Sequence, residues 1–347
     1  MTNRKNILII GAGLAGSSIA HRLIQQNQNV KIIDKGENFA TSVAAGMVNP
    51  MVFRRMNKSW RLDEFIYEAM AFYSELEETL KTKLLHEVTI RRLFSSEQER
   101  KSWLEKQSFS EFENYLTPIS AEDEKYEYAK NNFGSGRVKN AFWIDSSKFY
   151  DSNLAYFKEK GILLKETFST DDFNPEEGIY KGEKYDQIVF CCGYLNKEIP
   201  FFSSLPVQQT KGQLLTLKSN QIPDNESLNR KCFVLPLGNG TFKVGATYEW
   251  NNTNLEVTTE GRNLLLQNLS VLGDFKLEVL DQNSGIRPTT PDRRPIMGRH
   301  PEFSKLHIFN GLGTKGYMTA PTLSREFVTF LIDGKALNLE VSNERFN

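Results

Sequence analysis

Cysteine is scarce in this chain. Three residues in 347, Cys191, Cys192 and Cys232, cannot build a disulfide framework, and two of them are adjacent. That usage fits a reducing compartment. The four histidines (His21, His86, His300, His307) lack metal-ligand spacing. No His-Glu-x-x-His, Gly-x-Ser-x-Gly or phosphate loop ending in Gly-Lys-Ser/Thr occurs, which excludes three large enzyme classes at once. No run approaches the ~20 apolar residues of a membrane-spanning helix. Charge of one sign is missing too: 43 Lys and Arg balance 43 Asp and Glu. No global field therefore draws the chain to nucleic acid or an acidic membrane surface. Arg4 and Lys5 before Ile7–Ile10 imitate a signal peptide, but glycines interrupt the apolar run after four residues. The expectation is a soluble, cytoplasmic protein of about two domains.

What is present is a strong α/β pattern. Residues 7–10 read as a strand buried on both faces. Gly11-Ala-Gly-Leu-Ala-Gly16 follows, then Ala15, Ile19 and Leu23 at helical spacing, then a strand over 30–33 closed by Asp34. A helix is predicted from Asp63 to about Leu80 and a strand over 88–94, with a charged helical or looped stretch at 96–132. Asp145 caps a helix carrying Phe149, Leu154 and Phe157, stopped by Gly161. Residues 185–192 form another buried strand ending at Gly193. Short alternating segments at 213–217, 232–236, 241–247 and 275–280 predict an antiparallel sheet. A strand over 305–309 and a helix from about Met318 to Gly334 complete the chain. The fold class is α/β: a Rossmann-like nucleotide-binding domain carrying an inserted mixed or antiparallel β-sheet domain. The expected divisions are 1–85, 137–204 and 285–347 for the first domain, with 86–136 and 205–284 for the second.

The local motif with the clearest chemistry is Gly11-x-Gly13-x-x-Gly16 between strand and helix, with Asp34 18 positions further on. Gly11 permits the tight turn, and Gly13 lets backbone approach a pyrophosphate at the helix N-terminus. Gly16 lets helix and strand pack, and Asp34 accepts hydrogen bonds from a ribose diol. A dinucleotide is implied. The acidic Asp34 argues against NADP and leaves FAD and NAD open.

Further blocks carry a resemblance. Residues 42–50 (Ser-Val-Ala-Ala-Gly-Met-Val-Asn-Pro), 207–215, 233–249, 285–298 and 311–321 occur in the order found in the D-amino-acid-oxidase-like flavoenzymes, particularly the glycine oxidase and sarcosine oxidase type. Residues 95–135 remain unmatched. The resemblance implies FAD lying between the two domains. It implies contacts from Gly11, Ala12, Gly13, Leu14, Ala15 and Gly16, from Asp34 and Lys35, and from Ser42, Val43, Ala44, Ala45, Gly46 and Met47. It extends them to Cys192, Gly193, Gly285, Gly311, Gly313, Thr314, Lys315 and Gly316. No cysteine follows Cys232, so the flavin is expected to be non-covalent. Arg287 of Gly-Ile-Arg-Pro matches the arginine that pairs with a substrate carboxylate, work suited to a planar, permanently charged fork. The implied reaction passes a hydride from an amine-bearing carbon to flavin, giving an imine that water hydrolyses to an oxo acid. The electron acceptor is oxygen or another carrier.

The chain also departs from the glycine oxidase pattern. Phe233 stands where a tyrosine is usual at the hairpin, and Thr314 where an arginine is usual. The run 312–321 is instead similar to the oxidase domain of the bifunctional tRNA wobble-uridine modification enzyme, with Lys315 replacing its arginine and able to meet an anion. Arg54, Arg55, Lys58 and Arg61 with Trp60 would serve that tRNA reading as a phosphate-contact patch. A flavin-binding protein without turnover is the third reading. The oligomeric state is not encoded in any motif.

Overall fold

A computed structural model describes residues 4–38 and 40–346; residues 1–3, Phe39 and Asn347, and with them the outer ends of the expected first domain, lie outside it. Strand β1 (Asn6–Ile10), buried from Ile7 onward, runs through the glycine turn into α1 (Leu14–Gln25). β2 (Asn29–Ile33) returns beside β1 in parallel register, Ile9 opposite Ile32. β3 (Met47–Val48) and a hairpin of β4 (Met51–Val52) and β5 (Asn57–Lys58) precede α2 (Leu62–Leu80). The middle holds β6 (Leu85–Leu93), α3 (Glu97–Gln107), α4 (Ala121–Glu124) and β7 (Ser135–Ile144). Asp145 then caps α5 (Ser146–Glu159) by accepting the Lys148 amide, as its sequence predicts, and β8 (Leu163–Leu164) follows.

A small antiparallel sheet of β9 (Phe173–Asn174), β10 (Ile179–Tyr180) and β11 (Glu183–Lys184) leads to β12 (Gln187–Phe190). Next come β13 (Gln208–Lys218), β14 (Glu226–Asn229), β15 (Phe233–Gly238), β16 (Thr241–Gly245) and β17 (Glu249–Trp250). The chain finishes with α6 (Thr259–Ser270), β18 (Glu278–Thr289), β19 (Ile296–Arg299), β20 (Leu306–Asn310) and α7 (Gly316–Asp333).

Among the described residues these strands make two principal sheets. The first, in the order β19-β20-β12-β1-β2-β8, is parallel except for its antiparallel edge β19. Alternation along β1 divides the core. Ile7 and Ile9 join the apolar cluster that includes α1, α2 and α7, whereas Leu8 and Ile10 join Phe190, Phe202 and Ile308 on the opposite side. The second sheet runs β17-β13-β16-β15-β14-β6-β7-β3, with β18 pairing the other edge of β13. Leu215 and Leu217 of β13 pack with Val234, Phe242, Leu265 and Leu269. The even positions of β13 therefore face the other way, toward the first domain.

The second sheet is larger than its sequence suggests. It takes in β3, all of β7, and β18 as far as Thr289, so the divisions expected at 136/137 and 284/285 fall inside strands. β7 escapes a period-two reading because Asn140 sits in the left-handed region (φ 54°) and the pairing with β6 shifts between Val88 and Ile90. The helix α6 also lies where only strands are expected. Its signal is Thr258, whose hydroxyl accepts the Gly261 amide, followed by buried Leu265 and Leu269 at helical spacing.

The unmatched stretch 95–135 packs onto this sheet through buried Trp103, Phe112 and Tyr126, and through a buried charge cluster. Arg91 meets Asp123 at 2.9 Å and Glu226 at 2.6 Å and lies 4.0 Å from the Tyr126 ring centre. Arg91→Met leaves Glu226 buried without a cation and Asp123 with only the partly exposed Arg137, and should cost about 3–5 kcal/mol of unfolding free energy. Lys31→Met at the half-exposed pair with Glu183 should cost under about 1 kcal/mol. Urea denaturation of both variants checks this, and equal losses would contradict it.

Candidate active site

A cleft of about 620 Å³ runs between the two sheets, within the range of roughly 300–1,000 Å³ usual for ligand sites. One end is lined by Asp34, Lys35, Glu37 and Glu166. Its middle passes Gly11, Gly13, Leu14, Ala15 and residues 43–49. The far end is walled by Gly212, Leu214, Phe233, Thr247, Tyr248, Gly285, Arg287 and the start of α7.

The glycine turn is built as its motif predicts. The Gly11 amide donates to the Ile33 carbonyl (2.8 Å), and the Cys191 amide to that of Ile10 (2.8 Å), tying β1 to both neighbours at the turn. The Leu14 amide, first in α1, donates to the Thr41 hydroxyl at 2.9 Å. Asp34 does more structural work than its sequence suggests. One carboxylate oxygen accepts the Ala12 amide (2.7 Å); the other accepts the Gly36 amide (2.7 Å) and the Tyr150 hydroxyl (2.8 Å). Of the about four lone-pair sites of a carboxylate, three are taken within the protein, leaving one for a ribose. Burial, and then the proximity of that carboxylate, push the Tyr150 phenol well above its ordinary range.

Of the other residues expected to touch a dinucleotide, Lys35, Val43, Ala44, Ala45, Met47, Cys192, Gly193, Gly285, Gly313, Thr314 and Gly316 line the cleft. Ala12, Gly16, Ser42 and Gly311 do not line it. Ser42 turns its hydroxyl to the Asn38 carbonyl (2.7 Å), and Gly311 donates its amide to the Asn310 side chain (2.8 Å). Gly46 lines the cleft, but a Cβ there would sit 1.9 Å from the Ile144 carbonyl oxygen. The absence of a side chain is thus demanded by the β3–β7 pairing and not only by a ligand.

The far end gathers the residues with chemical potential. Arg287 stands opposite Thr210 in the β13–β18 ladder. Its guanidinium lies across Gly212, where a Cβ would come within 2.1 Å of Nη2, so only glycine admits it. The guanidinium carbon is 5.5 Å from the Tyr248 ring centre, and Nη1 is buried without a hydrogen-bond partner. Burial pulls its pKa below the ordinary arginine value, yet an arginine stays protonated. Phe233 and Leu214 both face Gly245 across their strands and supply an apolar wall. Phe233 has no hydroxyl, so its part is packing.

Lys315 caps α7, and its ammonium turns away from solvent to donate to the Asn49 carbonyl (2.8 Å) and the Ser59 hydroxyl (2.6 Å). No carboxylate lies within ion-pair distance of it among the described residues. Burial lowers its pKa to about 8. The basic cluster expected to meet tRNA is largely self-neutralised: Lys58 pairs with Asp63 (2.6 Å), Arg61 pairs with Glu64 and Glu326, and the Trp60 indole donates to Glu340 (3.1 Å). Arg54 and Arg55 are exposed. Thr41, Asn49, Thr247 and Tyr248 also line the cleft; Thr41 lies outside the matched blocks, and the other three lie inside them without an assigned role.

A Rossmann-like sheet facing a curved mixed sheet across one long cleft defines a two-domain dinucleotide-dependent oxidoreductase. The chain belongs to the FAD dependent oxidoreductase family (DAO), whose sequence profile matches residues 6–329. Glycine oxidase of Bacillus subtilis (strain 168) is 26% identical over 380 residues, covering 99% of this chain and 96% of that enzyme. The tRNA 5-methylaminomethyl-2-thiouridine biosynthesis bifunctional protein MnmC of Legionella pneumophila is 24% identical over 88% of this chain, which spans 47% of that protein. Among solved structures, glycine oxidase from Geobacillus kaustophilus superposes with a TM-score of 0.79 at 21% identity, covering 97% of this chain and 96% of its own. L-proline dehydrogenase from P. horikoshii superposes with a TM-score of 0.81 at 18% identity, covering 100% and 98%. The cofactor is FAD, and the cleft suits it: an acidic strand end, a glycine turn opening a helix, and a second helix N-terminus at the far wall. Among the described residues no helix is long and apolar enough to cross a membrane.

The lysine at the start of α7 gives a pH-dependent prediction. Its pKa falls from 10.5 to about 8 on folding, so between those values the unfolded chain holds a proton that the folded chain has released. The cost of the buried charge is complete below pH 8 and is relieved as pH rises toward 10.5. Lys315→Met removes this titration. The unfolding free energy of the variant relative to the wild type should therefore fall between pH 7 and pH 10. Urea unfolding at both values measures it, and parallel profiles would contradict it.

Proposed function

We propose that this protein oxidises a small amino acid or secondary amine bearing a carboxylate, with oxygen or another carrier accepting the electrons. The observation that carries the reading is the Arg287 guanidinium: it lines the cleft, lacks a partner for Nη1, and rests over an aromatic ring instead of a protein carboxylate. A buried unpaired donor costs about 1–3 kcal/mol, more when charged, and a substrate carboxylate would satisfy it.

The bound FAD supplies hydride acceptance from the amine-bearing carbon. The protein's part is orientation and electrostatics. Arg287 would fix the carboxylate, and thereby the carbon to be oxidised. Leu214 and Phe233 would exclude water from it, and the N-terminal end of α7 would favour negative charge accumulating beside it. No side chain need act as a nucleophile.

Anaerobic mixing of the purified holoprotein with glycine, sarcosine, proline and D-amino acids, followed by flavin absorbance, tests the reading. One of them should bleach the flavin, and air should restore the colour if oxygen is the acceptor. Arg287→Leu should keep the yellow colour and lose at least about 100-fold in kcat/KM, equivalent to about 2.7 kcal/mol of transition-state binding. Undiminished turnover of a carboxylate substrate by that variant would overturn the assignment. Bleaching by none of the panel would shift support to the modified-tRNA reading or to a flavin-binding protein without turnover.

A further inference from the structure

Beyond Arg287, the fold leaves two aromatic rings uncovered, Tyr248 in the far wall of the cleft and Trp250 beside it. Tyr248 is 42% exposed and Trp250 50%, and their ring centres lie 5.1 Å apart in an edge-to-face arrangement. Tyr248 lines the cleft and is the ring that carries the Arg287 guanidinium. Trp250 is placed by the sheet. It stands opposite Thr210 in the β13–β17 pairing, and Thr210 stands opposite Arg287 in the β13–β18 pairing. Directly opposed residues of antiparallel strands share a face, about 4.5–5.5 Å from one neighbour to the next. Trp250, Thr210 and Arg287 thus form one row across three strands, on the face of β13 that also presents Gly212 and Leu214 to the cleft. The row contains two unpartnered polar atoms, the Thr210 hydroxyl and Arg287 Nη1.

Neither ring completes the core; both lie outside the apolar clusters. Two exposed rings in contact beside a cleft offer a surface on which a flat ligand group can stack. Glycine with its carboxylate on Arg287 is too small to reach Trp250, whose strand is separated from that of Arg287 by β13. Resting on the carboxylate-binding reading above, we propose that Tyr248 and Trp250 form a specificity wall, and that the substrate's amine or α-carbon carries a flat aromatic substituent that stacks there. Arg287 then sets the position of the carboxylate, and the two rings select what lies beyond it.

The test compares acetate, benzoate and 2-naphthoate as ligands of the holoprotein, read by perturbation of the flavin spectrum without turnover. Affinity should rise at least tenfold from acetate to 2-naphthoate. Trp250→Ala should lower that ratio about tenfold, and Trp250→Phe should restore most of it. Because Trp250 is half-exposed on an edge strand, its truncation is compatible with folding, and an unchanged flavin spectrum in the free variant verifies this. Equal affinity for the three carboxylates in the wild type, or an unchanged ratio in Trp250→Ala, would overturn the wall. Failure of the underlying reading looks different: Arg287→Leu would then bind all three carboxylates as well as the wild type does.

Discussion

A buried guanidinium that the protein leaves partly unpaired is the constraint around which the cleft is arranged. Its consequences reach into the backbone. Strand β13 must present Gly212 where the guanidinium crosses it, and β18 must continue to Thr289 so that Arg287 stays in register with Thr210. Tyr248 lies beneath it, where a protein carboxylate would instead neutralise the charge that the proposed function reserves for a substrate. These demands fall on β13, β18 and the loop that leads into β17. That explains why β13 is paired along both edges, by β16 and β17 on one side and β18 on the other. In the proposed function, a cation packed in place before any ligand arrives would orient a small carboxylate rather than merely attract it.

The two ends of the chain were legible because burial on both faces leaves an unmistakable pattern. Ile7–Ile10 and Ile188–Phe190 are apolar without interruption, and Ile19 and Leu23 or Leu323, Phe327 and Leu331 repeat at helical spacing. The glycine motif was legible because its three positions have separate steric duties. β7 was not, because a left-handed asparagine and a register shift break its alternation, and α6 was obscured by the strand-rich stretch around it. In the site, Arg287 could be found from its motif. Tyr248 falls in the matched block 233–249 but has no role assigned there, and Trp250 lies just past it on a two-residue strand too short to show a period. The orientation of Lys315 also escaped the sequence: whether a lysine at a helix start reaches solvent or turns inward depends on Asn49 and Ser59, more than 250 positions away.

The carboxylate-paired charges serve a different purpose. Around Arg91 they are buried, mutually satisfied and remote from the cleft, and they fasten the stretch 95–135 to the sheet. Around Lys58 and Arg61 they pair at the surface, joining the β4–β5 hairpin and α2 to α7. These carboxylate-paired cations hold elements together, whereas Arg287 and Lys315, with no carboxylate in ion-pair distance among the described residues, border the cleft.

Helix α5 touches the cleft wall at two heights. Ser146, its first residue, donates to the carbonyls of Ser42 and Ala44, and Tyr150, one turn later, donates to Asp34. Four residues of α-helix rise about 6 Å. The helix is accordingly a molecular ruler, setting the offset between the end of β2 and the loop at mid-cleft. A dinucleotide bridging those two points meets a spacing dictated by one helical turn. An inserted or deleted residue between Ser146 and Tyr150 would rotate one contact away from its partner and spoil that spacing, with every cleft-lining residue unaltered.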